Sequence, residues 1–249
     1  MRQSFQVAGV DGCKAGWFVA FVEGATERSE PSGSCRFKVT NVVVAADFTQ
    51  VLAETAGCDL VCIDIPIGLS DDGVPRQCDV KARRLLTAAR ATSVFSAPIR
   101  SCLTAPDYAA ANAILREVSG RGLSKQSFAI LPKIREVDEL MDPVLQKRVR
   151  EIHPEVCFWA LNGRTPMQYN KKTVPGQAKR HNLLAHVFPD LDDLLTQAPS
   201  RGCVLDDVYD AIVAAMTAAQ AVIGNSATLP ENPPLDSKGL RAEMLYPVV

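Results

Sequence analysis

Four aspartates stand where charge is costly or crowded. Asp11 ends the apolar stretch VAGVDG, with Gly9 and Gly12 close by. Asp64 interrupts LVCIDIPI, a run otherwise fit for complete burial. Asp207 and Asp210 lie three residues apart at the start of the alanine-rich stretch DDVYDAIVAAMTAAQAVIG, so a helix there turns both toward one spot. Asp206 and Asp210, four apart, can do the same. Each acid also has a plainer role open to it. Asp11 suits a turn in a glycine-rich loop. Asp206 or Asp207 suits a helix N-cap, a role that stabilises by about 1 kcal/mol. Asp64 resists that explanation, because a charge in an apolar strand needs a buried Arg or Lys, or several backbone donors.

Clustered carboxylates raise one another's pKa. A divalent cation neutralises them, and hard oxygen ligands suit magnesium or manganese. Two such ions about 4 Å apart can activate a water and stabilise the leaving oxygen of a phosphodiester. Asp11, Asp64, Asp207 and Asp210 are therefore the candidate catalytic and metal-ligating residues. Glu155, in HPEVCF, falls in a helix first turn, where the helix dipole favours negative charge. It is a further catalytic candidate, with His153 beside it for proton transfer.

Positive charge is segregated. From Val80 to Pro106 there is no acid, but Lys81, Arg83, Arg84, Arg90 and Arg100 are present. From Val156 to Pro189 there is again no acid, and Arg164, Lys171, Lys172, Lys179 and Arg180 are present. Either these are solvated faces, or they flank the acids and hold phosphates. In the second case Lys171, Lys172 and Arg84 are the substrate-binding candidates, and Tyr169 in YNKKTVPGQAKRH is placed for stacking. Aromatic residues make up 6% of the chain, which gives little support for extensive base stacking.

The elements that must position these residues follow from the pattern. FQVAGVDG, WFVAFVEG and CRFKVTNVVVA read as three strands with short separations, which suits an antiparallel meander. FTQVLAET has helical spacing. DLVCIDIPIGLSDDG reads as a strand buried on both faces that ends at Pro66 and Gly68. DVKARRLLTAARA is a basic helix with Asp79 placed as its cap. Residues 92–148 read as mostly helical, and VREIHP as a short strand. PEVCFWALNG is a helix with Pro154 in its first turn and Gly163 past its end. GQAKRHNLLAHVF and LDDLLTQA are further helices, and DDVYDAIVAAMTAAQAVIG is the strongest, stopped by Gly224. The proline-rich tail from Ala227 is expected to drape over the surface. The reading is one α/β domain over 1–249: a mixed five-stranded sheet, three antiparallel strands and then parallel ones, with helices on both faces. A mostly helical insertion is expected at about 76–148. Asp11 and Asp64 both fall at the carboxyl ends of strands, where ligand sites of such sheets lie.

Bulk composition agrees. The chain has 249 residues, 47% hydrophobic and 22% charged, enough for a full core without staples. A net charge of −1 excludes a global attraction to nucleic acid or membrane, so any anion-binding surface must be local. No apolar run reaches the about 18 residues of a membrane span, and the first residues do not form a signal peptide. The eight cysteines are scattered, with no C-x-x-C pair. They are expected to be buried thiols of a reduced, cytoplasmic protein rather than zinc ligands.

GVDGCKAGW, IDIPIGL, SVFSAP, PKIREVDE, EIHPEVCFWALNG and NKKT, in that order, closely resemble the uncharacterised family of predicted RNase H-like nucleases (domain of unknown function four-two-nine). The resemblance runs from about residue 7 to 223. DVYDAIVAAMTA separately resembles the D-x-x-D-A-L-A-x-A helix of Holliday-junction resolvases of the same superfold. The resemblance implies an RNase H-like fold whose acids come from the first strand, the fourth strand and a late helix: Asp11, Asp64, Asp207 and Asp210. It implies a Mg- or Mn-dependent nuclease acting on nucleic acid. The resolvases place a glutamate on the fourth strand, and Asp64 is one methylene shorter. Two other classes compete. DGCKAGW also resembles the phosphate loop of actin-like and sugar-kinase-like phosphotransferases, although a second such turn is missing. A non-catalytic binding module on the same fold is the other.

Overall fold

The computed structural model describes residues 3–26, 36–197 and 203–249. The first apolar runs form β1 (Gln3–Cys13), β2 (Gly16–Thr26) and β3 (Arg36–Ala45), paired antiparallel in sequence. The reversal from β1 to β2 is tight, and Gly16 takes a φ of +134° there, where a side chain would strike Ala45 O. Helix α1 (Phe48–Glu54) leads to β4 (Leu60–Ile63), which lies parallel to β1. Next come α2 (Gln77–Arg90), α3 (Tyr108–Ser119), α4 (Lys125–Ala129) and α5 (Leu131–Leu140), and then β5 (Val149–Glu151), parallel to β4. The sheet order is β3-β2-β1-β4-β5, as expected for an RNase H-like α/β fold. After it run α6 (Pro154–Leu161), α7 (Val174–Ala185), α8 (Leu191–Gln197) and α9 (Leu205–Val222).

Alternation along the strands divides the core into two layers. Val7, Phe18, Ala20, Leu60 and Cys62 pack on one face with α6, α7 and α9. Ala8, Val10, Trp17, Val61 and Ile63 pack on the other with α1, α3 and α5. By this period of two, Asp11 and Asp64 belong to the face that α9 covers. Helix α9 is buried on every side from Val208 to Ala219, and its alanines let it lie directly on β1. Gly9 is part of the same contact. A Cβ there would sit 2.0 Å from Ala211 O and 2.1 Å from Ala215 N.

Two expectations are corrected. The tail is not a surface drape. It forms β6 (Ser226–Leu229) and β7 (Met244–Pro247), an antiparallel pair, and Ile152 bridges to Leu245. Leu240, Ala242, Met244 and Leu245 are buried, and buried Glu243 pairs with Arg150 at 2.7 Å. Asp79 does not cap α2. The helix starts two residues earlier, with Arg76 at its N-cap, and buried Asp79 accepts from Ala97 N at 3.1 Å. Cys13, Cys58, Cys62, Cys78, Cys102 and Cys157 are free, buried thiols, Cys203 is also buried, and Cys35 lies outside the described residues. Among the described residues no helix is long and apolar enough to cross a membrane.

Candidate active site

The last paired residues of β1 and β4 are Val10 and Ile63, so Asp11 and Asp64 are the next positions on neighbouring parallel strands. Asp64 N donates to Val10 O at 3.0 Å, which fixes the two acids side by side. Helix α9, seated on Gly9, brings in Asp210, which is 2% exposed. Asp11, Asp64 and Asp210 line one cavity of about 550 Å³. Lys171, from the loop before α7, reaches Asp210 Oδ2 with its Nζ at 2.6 Å.

The electrostatics follow from burial. Burial, reinforced by Asp64 and Asp210, holds the Asp11 carboxyl well above the usual carboxylate range, and Lys171 pulls the other way. Burial raises Asp64 as well, against His153 and Lys171 and with Glu155. Asp210 is pushed up to about 6 by burial, against Lys171. Burial alone would lower the Lys171 pKa, but Asp210, Asp11 and Asp64 more than reverse this, so the ammonium is kept. Three buried carboxyls thus share one ammonium. Their oxygens form the all-oxygen donor set that magnesium or manganese takes.

Those oxygens do not all close within 4.8 Å of one another. Among the described residues, the group that does is Cys78, Asp79 and Glu151. Its charge is already balanced. Arg76 Nη2 donates to both Glu151 oxygens at 2.6 and 2.7 Å and to Cys78 Sγ at 2.8 Å, and lies 3.6 Å from Asp79. A guanidinium therefore fills the place a cation would take, and the group is a buried ionic cluster. Asp210 is paired with the Lys171 ammonium, and the like charges of Asp11, Asp64 and Asp210 repel one another.

The remaining candidates divide. Asp207 is half-buried, does not line the cavity, and accepts from Val204 N at 3.4 Å, so it braces the start of α9 while its charge raises Asp11. Glu155 is buried and lines the cavity. Arg180 Nη2 donates to its Oε1, and Arg90 Nε stands 3.9 Å from its Oε2. His153 lines the cavity beside Asp64 with Nε2 near Ser93 O, and its Nδ1 has no hydrogen-bond partner. Exposed Lys172 lines the mouth. Arg84 is exposed on α2 and does not line the cavity. The kink of α2 at Thr87 intervenes, and Arg90 is the base of this segment that reaches the site. Arg100 is committed to Asp71, Asp138 and Asp236. Tyr169 also stays outside, and the aromatic side chain that lines the cavity is Phe95.

Sequence reasoning placed Arg90 in a basic segment without singling it out, and missed Phe95 and Lys133. Lys133 Nζ donates to Gly16 O at 2.6 Å and lies 4.3 Å from the centre of the Trp17 ring. It passes over Gly12, where a Cβ would stand 2.9 Å from its Cδ. The one signal for Phe95 and Lys133 was that SVFSAP and PKIREVDE carry the resemblance.

The order and direction of the five strands are those of an RNase H-like α/β fold. Residues 9–235 match the family described as "Protein of unknown function (DUF429)", and the chain belongs to that family. Among solved structures it is similar to Thermus thermophilus RuvC, at 12% identity over 88% of this chain and 96% of that chain, with a TM-score of 0.30. Comparison with curated proteins gave no match.

Proposed function

We propose that the chain is a metal-dependent nuclease that hydrolyses phosphodiester bonds of nucleic acid with magnesium or manganese. The observation that carries this reading is the convergence of buried Asp11, Asp64 and Asp210, from three separate elements, on one cavity where Lys171 pairs with Asp210. A divalent cation in that donor set supplies a water of lowered pKa and neutralises charge on the leaving oxygen. Asp11 and Asp64 hold their places through the paired strands, and Asp210 through the seat of α9 on Gly9. Asp11, Asp64 and Asp210 would hold the ion, and Lys171 beside Asp210 and Lys172 at the mouth would offer contacts to phosphate oxygens. Glu155 is paired with Arg180, and the Nδ1 of His153 makes no hydrogen bond and is placed for proton transfer. Asp207 acts at the edge by bracing α9.

The test is cleavage of DNA and RNA panels, single-stranded and structured, in magnesium and in manganese. Wild type is expected to cut at least one class, and Asp64→Asn to cut none. No turnover on any substrate, or equal rates for the two proteins, contradicts the proposal.

The Lys171–Asp210 ion pair supports a second reading. The ammonium already supplies counter-charge, as in a module that binds nucleic acid without cutting it. A melting temperature unchanged by millimolar magnesium or manganese favours this second reading, and a rise favours the first.

A further inference from the structure

The cavity beside the acids has a second wall that hydrolysis does not use. It is built by the end of α2 and the short 3-10 turn after it, Ala91–Ser93. Three features mark it. Thr87 interrupts α2 at φ 54° and ψ −173°, a conformation costly for a β-branched residue. Strain of this kind persists where surrounding structure imposes it and gathers at functional sites. Beyond the kink, Arg90 lines the cavity, and its Nε and Nη2 make no hydrogen bond. The nearest paired oxygen, Glu155 Oε2, is too distant at 3.9 Å and is itself without a hydrogen bond. Phe95 lines the same cavity and is 42% exposed. A phenyl ring partly left in water forfeits part of the stabilisation that burial would give it.

These features fit one ligand chemistry. A guanidinium with two unused donors matches the oxygens of a phosphate. An exposed ring a few residues on matches the face of a nucleobase. The enclosed volume, about 550 Å³, is within the range that a single small ligand fills. One ring, in a chain poor in aromatics, recognises one base and not a long strand.

We infer that this wall receives a single unpaired nucleotide, with its base stacked on Phe95 and its phosphate held by Arg90. This rests on the nuclease reading and narrows it. The substrate presents a single-stranded or flipped-out nucleotide to the acids, and an intact duplex does not enter.

The experiment measures binding of a single-stranded oligonucleotide carrying 2-aminopurine, and of the same strand in a duplex, in calcium. The proteins are wild type, Phe95→Ala, Phe95→Trp and Arg90→Ala, each checked for an unchanged melting temperature. Wild type is expected to bind the single strand at least tenfold more tightly than the duplex. Phe95→Ala loses about 5- to 100-fold of single-strand affinity, and Phe95→Trp keeps it. Arg90→Ala binds more weakly and with a salt slope shallower by about 0.7. Equal binding of strand and duplex, no binding of either, or full affinity in Phe95→Ala overturns the inference. The same probes are then assayed for cleavage in manganese. Binding without cleavage fails the nuclease reading alone, and cleavage unaffected by Phe95→Ala fails the pocket alone.

Discussion

At the scale of residues, the site is a set of charges the fold holds at a cost. Asp11 is buried beside Asp64 and Asp210, and its carboxyl is held well above the usual range. Removing that charge without changing shape should therefore stabilise the metal-free protein. Asp11→Asn is expected to raise the melting temperature in EDTA at pH 8 by about 2–4 °C, which corresponds to about 1 kcal/mol in a chain of this size, while abolishing metal-dependent cleavage. A lower melting temperature would show that Asp11 is a structural acid. Asp210 adds a pH dependence. Its carboxyl titrates at about 6 in the fold, above its ordinary value of 3.8. The folded state binds that proton more tightly than the unfolded state, so stability falls as pH rises from about 4 to about 6 and stays lower above that. Melting curves in EDTA across this window should show the fall, and Asp210→Asn should make it smaller, with the raised carboxyls of Asp11 and Asp64 leaving a remainder. Asp64 was legible as a site residue because an apolar strand gave it no other purpose. Arg90 was not, since nothing in TAARA separates it from any basic residue on a solvated helix face.

At the scale of elements, what matters is how closely α9 approaches β1. The helix sits on Gly9 with no room for a methyl group, and this contact sets Asp210 against Asp11. Gly9→Ala is expected to cost about 1–3 kcal/mol by overpacking and to weaken metal binding more than a distant substitution of equal cost, as calorimetry and chemical denaturation would show. Equal metal affinity in the variant would mean that Asp210 is not a ligand. The strands and α9 could be read from the sequence because their apolar periods are long and clean. The tail could not: β6 and β7 have four residues each and are separated by prolines and by Asp236, which ties that loop to Leu69 N and Arg100. The kink at Thr87 was equally hidden, because RRLLTAAR has ordinary helix composition and the surrounding structure, not local propensity, imposes the break.

At the scale of the whole molecule, the chain carries almost no net charge, yet it concentrates acids at one end of the parallel strands and places selected bases around them. Three of the basic residues are structural. Arg180 secures Glu155, Arg76 balances a buried cluster, and Arg100 binds three aspartates. Arg90, Lys133, Lys171 and Lys172 line the cavity of the three carboxyls, and of these bases Lys171 is the one paired with a carboxyl of the three. The account therefore depends on a divalent cation binding there. The most direct measurement is a calorimetric titration of manganese into wild type and Asp64→Asn at pH 7.5. Saturable binding is expected for wild type, and a loss of about tenfold or more in the variant. No binding at millimolar manganese, or equal affinity in the two proteins, would contradict it.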